Sequence, residues 1–352
     1  LKILITGGAG FIGCNAVLNF MRLGHDVIVI DNLSRKGTKS NLDWLKENGQ
    51  FEFIKGDLRD YSALKNIFQK HKDLDVVLHL AGQVAVTTSV ISPREDFEIN
   101  ALGTLNILEA IRETYSTGGK KGNCVVSEDS PKLIYSSTNK VYGNLHGTEV
   151  TERNDHYVYK DLPCGVSELT ALDFHSPYGC SKGAADQYVI DYSRIYGLKT
   201  ITFRQSCIYG YRQFGVEDQG WVAWFTIAAV LQKPITIYGD GKQVRDVLFI
   251  DDLIEAYSKA INFSDNAISK AYNIGGGVEN QLSLLDLIAF LEKHLGKNLD
   301  YSFSDWRPGD QRVFICDISR AKKELDWHPK VNPETGIEKL CDWVKENQGL
   351  FR

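Results

Sequence analysis

The chain has no Cys-x-x-Cys pair, no long apolar run and no excess of positive charge. Its seven cysteines, at 14, 124, 164, 180, 207, 316 and 341, are odd in number and scattered. That pattern argues against a disulfide framework and against a structural zinc site, so reduced thiols in a cytoplasmic protein are expected, with no metal. The longest apolar runs fall far short of the ~20 residues that span a bilayer, and no basic segment with an apolar stretch opens the chain. Neither a membrane anchor nor a secretory leader is expected. Lys plus Arg number 40 against 45 for Asp plus Glu, a net charge of −5. That balance offers no field to gather nucleic acid or an anionic membrane, so an anionic ligand must be held by local cations. Internal repeats and low-complexity tracts are also missing.

What is present is ordinary for a globular protein: 352 residues, 43% hydrophobic and 24% charged. At roughly 150 residues per domain this predicts two domains, and folding at this size buries about 75% of the unfolded chain's surface. Short apolar runs at Ile3 to Ile5, Val27 to Ile30, Phe51 to Ile54, Val76 to Leu78, Leu133 to Tyr135 and Thr200 to Phe203 alternate with helix-like spacing at 11–24, 60–70, 94–115 and 176–196. The rhythm is that of repeated βαβ units, and right-handed crossovers place such helices on both faces of a parallel sheet. The expected fold is α/β, a doubly wound parallel Rossmann sheet over 1–205. A smaller C-terminal mixed α/β domain is expected over 206–352, with helices near Trp221 to Leu231, 283–295 and 333–347; a segment near 243–272 is a candidate to return to the first domain. Gly118 to Asn123 reads as an exposed loop, and the connections at 116–130 and 144–175 are long enough to be lids.

Lys2 to Thr6 runs into Gly7-Gly8-Ala9-Gly10-Phe11-Ile12-Gly13, a glycine turn between a strand and a helix. Glycines there permit a tight turn and let the backbone approach a pyrophosphate, whose charge meets the free N–H groups of the helix N-terminus. Asp31 ends the second strand about 20 residues on, where a carboxylate accepts from an adenosine ribose and repels a 2′-phosphate. The cofactor is therefore expected to be NAD, and Arg35 and Lys36 are expected to be solvated loop cations. Gly7, Gly10, Phe11, Ile12, Gly13, Asp31 and Asn32 form the expected cofactor set at this end, with Asp57 and Leu58 as candidates to flank the adenine and Ala81 beyond the fourth strand.

Ser176-Pro177-Tyr178-Gly179-Cys180-Ser181-Lys182 starts a helix and puts Tyr178 and Lys182 on one face. A free tyrosine, with a pKa near ~10, is a poor base unless nearby positive charge favours its phenolate, and Lys182 is expected to supply that charge. The strand Lys132 to Tyr135 leads into Ser136-Ser137-Thr138. Hydroxyls beyond a strand's carboxyl end sit where ligands bind, and Thr138 is expected to complete the catalytic set, with Ser137 second.

Together with Leu78 to Gly82, Asn100 to Asn106, Val244 to Val247 and Arg307 to Asp310, these motifs resemble, over nearly the whole chain, the extended short-chain dehydrogenases that modify nucleotide sugars, a group of epimerases and dehydratases. The resemblance implies NAD in the N-terminal domain and a nucleoside-diphosphate sugar between the domains. It places Asn100, Tyr178 and Lys182 by the cofactor, and Arg245 and Arg307 at substrate phosphate or ribose. Dehydratases of the group carry Asp-Glu after the active-site Thr; here Asn139 and Lys140 stand there, so elimination of water is not expected. Ala81 to Ser89, Asp173 to Tyr188 and Asp218 to Val222 closely resemble the branch that inverts C2 of a CDP-linked 3,6-dideoxyhexose for bacterial surface polysaccharide. That implies a CDP-sugar substrate, a homo-oligomer, and Gln83, Thr87 and His175 as candidates to touch the sugar. Cys207 stands where many relatives have a phosphate-contacting Asn. The alternatives are epimerisation at C4, since Thr138, Tyr178 and Lys182 oxidise whichever hydroxyl the pocket presents, and a non-catalytic NAD-sensing protein, which has little need of Tyr178 with Lys182.

Overall fold

The computed structural model describes residues 1–117, 125–263, 265–307 and 310–351; Gly118 to Asn123, expected as a loop, together with Cys124 and the Pro308-Gly309 pair, lie outside them. In chain order the first part comprises β1 (Lys2–Thr6), α1 (Phe11–Arg22), β2 (Asp26–Asp31), α2 (Thr38–Asn48), β3 (Glu52–Lys55), α3 (Tyr61–Lys70) and β4 (Val76–His79). Then come α4 (Val86–Ile91), α5 (Pro93–Phe97), a π-helical turn at Glu98–Leu102, α6 (Gly103–Thr114), β5 (Lys132–Thr138), the strands β6 (Val150–Arg153) and β7 (His156–Tyr159), α7 (Ser176–Tyr196) and β8 (Thr200–Gln205). The remainder is β9 (Ile208–Tyr209), α8 (Trp221–Leu231), β10 (Ile235–Tyr238), β11 (Val244–Asp246), β12 (Leu248–Phe249), α9 (Ile250–Ala260), β13 (Lys270–Ile274), β14 (Gln281–Ser283), α10 (Leu284–Leu295), β15 (Tyr301–Ser304), β16 (Val313–Phe314), α11 (Ser319–Glu324) and α12 (Pro333–Glu346).

Seven strands form one parallel sheet in the order β13-β8-β5-β4-β1-β2-β3. Near-continuous apolar strands such as β1 and β2 are what a sheet covered on both faces requires, and Ile3, Leu4, Ile5 and Val27 to Ile30 are all buried. Strand order reverses between β1 and β4, and there the carboxyl ends diverge into the crevice where open α/β sheets bind ligands. The seventh strand comes from beyond residue 206: β13 pairs with β8 from Ile201 to Gln205, and Tyr257 of α9 stacks on Phe203 at 5.4 Å. The one helix expected over 94–115 is instead α5, the π-helical turn and α6. An extra residue per turn at Asn100 leaves its carbonyl to accept from Thr104 Oγ1 at 2.6 Å.

Short sheets, β14-β11-β16, β10-β15 and β12-β9, with α8, α10 and α12, build the second layer. The 144–175 connection is not a free lid. It folds into the antiparallel hairpin β6-β7, turned at Asn154 and Asp155, both at positive φ (48° and 62°), the geometry of a two-residue type I′ turn. The connection is tied down by Tyr157 Oη donating to Asp240 Oδ2 (2.6 Å) and His156 Nε2 on Asp286 Oδ2 (2.7 Å) in the hairpin, and beyond it by Asn273 Nδ2 donating to Val166 O (2.8 Å).

Candidate functional site

The glycine turn fills the crevice at the end of β1. A Cβ on Gly13 would stand 2.1 Å from Gly7 O, and one on Gly7, at φ +69°, would meet Ala81 Cα at 2.8 Å; neither position tolerates a side chain. Helix α1 begins at Gly10 with no side-chain cap and no acidic residue in its first turn. Its first internal bond runs from Cys14 N to Gly10 O at 2.9 Å, so the amides of Phe11, Ile12 and Gly13 are left facing the crevice. Bare backbone plus uncapped donors fits a dinucleotide pyrophosphate. Asp31, at the end of β2, accepts from Ala9 N (3.0 Å) and Leu33 N (2.8 Å). Burial pushes its carboxyl up, and those two amides and Arg35 oppose the shift. Each oxygen keeps acceptor capacity for a ribose hydroxyl. Asn32 donates to Asp57 Oδ2 at 3.1 Å, Asp57 is held well below the usual carboxylate range by Arg59, and Leu58 O takes Asn106 Nδ2 at 2.8 Å, which orders the rim beside Asp31. Arg35 is exposed, as expected of a loop cation; its guanidinium donates to Gln219 Oε1, and its charge acts on both Tyr178 and Asp31.

Across the crevice, β5 ends at Thr138, whose Oγ1 accepts from Lys140 N (3.2 Å), and α7 begins two residues before Tyr178, so that the Thr138 hydroxyl acts on the Tyr178 phenol. Burial pushes the Tyr178 phenol up to about 12, Asp96 adds to this, and the Thr138 hydroxyl and the Arg35 guanidinium pull it down. Lys182 is the cation expected to act on the phenol, but the structure puts its charge elsewhere. Its Nζ donates to Ser136 O at 2.6 Å and lies 4.3 Å from the Tyr135 ring centroid, while burial lowers its pKa to about 7 against the pull of Asp186 and Asp96. The start of α7 is pinned by Tyr178 N donating to Ser89 Oγ (3.1 Å) and by Ser181 Oγ donating to Asp96 Oδ2 (2.5 Å). Asn100 completes that network, with Nδ2 within 3.1 Å of both Gln83 O and Ser181 Oγ and 3.2 Å from Asp96 Oδ1. Ser137 is engaged away from the crevice, donating to Asp186 Oδ2 at 2.7 Å beside the buried Arg204–Asp186 pair (2.9 Å).

The residues expected at the substrate divide into three groups. Arg245 is buried, donating to Asp310 Oδ1 (2.6 Å) and Val244 O (2.9 Å), and Arg307 pairs with Asp218 (3.0 Å) above the Tyr238 ring. Gln83 is turned back on its own loop, with Nε2 donating to Ala85 O at 2.8 Å and Oε1 accepting from Ala85 N. Thr87 is half-buried on α4, and His175, at the exposed start of α7, is 3.5 Å from Asn144 Nδ2. Burial raises the Cys207 thiol, and the Trp221 indole N–H and the Arg245 charge oppose it, so the position expected of an Asn holds a neutral thiol beside the arginine. Sequence reasoning passed over Lys140, Asp96, Ser89 and Ser181 as site residues. The one signal available was the spacing of Ser181 between Tyr178 and Lys182. A cavity of about 360 Å³ between Asn144, Thr148, Tyr159 and Asp310 to Val313 adjoins this region. Among the described residues no group of three His, Cys, Asp or Glu is placed to hold a metal, and no helix is long and apolar enough to cross a membrane.

A parallel sheet with a glycine-turn crevice and a Thr-Tyr-Lys set at its switch point defines a nucleotide-sugar-modifying short-chain dehydrogenase. The chain belongs to the family described as GDP-mannose 4,6 dehydratase, which it matches over residues 4–340. It is 48% identical over 349 residues to CDP-paratose 2-epimerase of Salmonella typhi, covering 98% of this chain and 99% of the relative. Among solved structures it resembles the UDP-glucose 4-epimerase of Thermotoga maritima with UDP-glucose (TM-score 0.81, 32% identity, 99% and 100% of the two chains). It also resembles the Bacillus cereus UDP-glucuronic acid 4-epimerase in complex with UDP-glucuronic acid and NAD (TM-score 0.80, 29%, 98% and 99%).

Proposed function

We propose that the chain is an NAD-dependent epimerase that inverts C2 of a CDP-linked 3,6-dideoxyhexose, converting CDP-paratose to CDP-tyvelose. The observation that carries this reading is the near-full-length similarity to the Salmonella CDP-paratose 2-epimerase. NAD is held by Gly7, Gly10 to Gly13, Asp31, Asn32, Asp57, Leu58, Ala81 and Asn100, with Lys182 at the nicotinamide ribose; when bound it supplies the hydride acceptor and a positive charge beside Tyr178. Tyr178 takes the proton of the sugar hydroxyl as the alcohol becomes a ketone and gives it back on the return, while Thr138 orients that hydroxyl. Arg245 and Arg307 hold the diphosphate, and the sugar turns about its bond to that anchor, because a single Tyr178 offers one direction of approach. Gln83, Thr87 and His175 lie along the path of the two sugar poses. A 3,6-dideoxyhexose has no hydroxyl at C3, so no neighbouring ketone can be made there to loosen the C2 hydrogen. That favours a 2-keto intermediate reached directly.

Incubation with CDP-paratose and, separately, UDP-glucose, followed by NMR of the sugar, tests the reading: inversion at C2 of the first supports it, and inversion at C4 of UDP-glucose alone overturns it. The same run in heavy water is expected to leave no deuterium at C2, and substantial incorporation there would overturn the direct route. Asp31→Ala is expected to weaken NAD binding and to relax discrimination against NADP; fluorescence titration with both cofactors measures this, and an unchanged preference removes Asp31 from the site. The chain is further proposed to act in the cytoplasm, supplying surface polysaccharide, as a homo-oligomer. Support for the last comes from exposed apolar side chains on neighbouring helices, Ile91 (82% exposed), Phe97 (54%), Tyr188 (49%) and Ile195 (61%). Sedimentation as a monomer at working concentration would refute it.

A further inference from the structure

We propose that Lys140 is a further positioning residue for the substrate, its ammonium joining Arg245 on the β-phosphate about which the sugar turns. This rests on the epimerase reading above. Lys140 starts at the catalytic strand, where its backbone N donates to Thr138 Oγ1 at 3.2 Å. Its side chain then runs toward the anchoring arginine: Nζ has Gln311 Oε1 at 3.5 Å, and its charge interacts with Arg245, Asp310 and Cys207. The residue therefore spans the gap between the hydroxyl pair that works on the sugar and the cation that works on its phosphate. In a sugar nucleotide that gap holds the glycosidic oxygen and the β-phosphate.

Charge balance points the same way. Among the described ion pairs none includes Lys140, and its one hydrogen bond at Nζ is long. Gln311 is fixed by its own bond to Gly143 O and supplies a neutral acceptor. Asp310 is taken by Arg245 at 2.6 Å, and the thiol of Cys207 is pushed up by burial and so carries no charge. The buried carboxylate of Asp246 already accepts from Ser206 Oγ (2.5 Å), Gly277 N (3.2 Å) and Cys316 Sγ (2.9 Å). Two cations thus share one available carboxylate in a partly buried spot, and like charges so placed disfavour one another until an anion arrives. A sugar hydroxyl is neutral and leaves that imbalance; a phosphate removes it through charge-assisted hydrogen bonds. The chemistry of lysine suits a pivot. Its compact ammonium has three rotatable donors and can follow a phosphate oxygen as the sugar changes face, whereas the planar fork of Arg245 holds one orientation.

Calorimetric titration of the NAD-loaded enzyme with CDP and with CMP, which lacks the β-phosphate, tests this. Lys140→Met is expected to weaken CDP about 10- to 100-fold, in the range of lost charge-assisted bonds, and to leave CMP within about twofold. Lys140→Arg should recover most of the loss. Equal weakening of CDP and CMP, or unchanged CDP binding by a variant with normal melting and NAD content, overturns the assignment. If Lys140→Met proves unstable, Lys140→Gln is read by the same ratio. Should the wild type bind UDP and not CDP, with the Lys140 effect carried over to UDP against UMP, the cytidine reading fails and the β-phosphate role stands. If CDP binds tightly and no Lys140 variant changes it, the role fails and the epimerase reading stands.

Discussion

Tyr178→Phe is expected to lower turnover by about 10²- to 10⁴-fold, the range that general acid–base catalysis contributes, while the variant keeps its fold and its NAD. The expectation of a clean loss comes from how Tyr178 is held. Its ring is buried, its backbone N donates to Ser89 Oγ at 3.1 Å, and the Thr138 hydroxyl favours its ionised form. Phenylalanine preserves the first two and removes only the proton carrier. Thr138→Val is expected to lose much less, since a neutral hydrogen bond contributes only ~0.5–1.5 kcal/mol net. Turnover by NMR, alongside the NAD content of the purified protein, measures both. A folded, NAD-loaded Tyr178→Phe enzyme with near-normal turnover would remove Tyr178 from the chemistry.

Arg204→Met is expected to destabilise the protein by about 3–5 kcal/mol, because it leaves a buried carboxylate unpaired. Arg204 is 4% exposed and Asp186 is fully buried, and the guanidinium donates through Nε (3.0 Å) and Nη2 (2.9 Å) to the two oxygens of Asp186. A third donor reaches Tyr142 Oη at 3.2 Å. With arginine gone, Ser137 and Gln187 are the hydrogen-bond donors left to Asp186, and neither carries charge. The double variant Arg204→Met with Asp186→Leu should regain part of the loss, because it removes the stranded charge as well. Urea unfolding measures the series, and a loss below about 1 kcal/mol for the single variant would be that of a solvated surface pair.

The periodic part of this fold was legible in the sequence because strand and crossover-helix signals are local. Apolar runs gave β1, β2, β4, β5 and β8 to within a few residues, and α7 and α8 matched their expected spans. The glycine turn was legible for the same reason, since its residues are consecutive and each answers a local steric demand. What escaped depends on partners far along the chain. Arg35 owes its place to Gln219, and Lys182 is held by Ser136 and Tyr135, so neither pairing shows as a pattern. Ser137 and Thr138 looked alike as adjacent hydroxyls. Strand alternation sends Ser137 to Asp186, while Thr138 turns to the other face, where its Oγ1 accepts from Lys140 N and its hydroxyl acts on the Tyr178 phenol. The connection at 144–175 read as a lid on length alone, and what holds it down are side chains such as Asp240, Asn273 and Asp286 that come much later.

The late arrival of β13 bears on how the chain can be made. During synthesis β8 emerges with one edge unpaired and with Phe203 bare, since the partners that cover it, Tyr257 and Tyr272, follow more than fifty residues behind. Until residue 274 clears the ribosome, the edge of the nascent sheet is open to any other unpaired strand, and α1 lacks the neighbour that α9 provides through Asn19 and Ser258. The sheet of the cofactor half is therefore completed by a strand that follows it in the chain. Between residues 206 and 274 the nascent chain thus carries an open sheet edge at β8, the kind of edge that pairs with other chains.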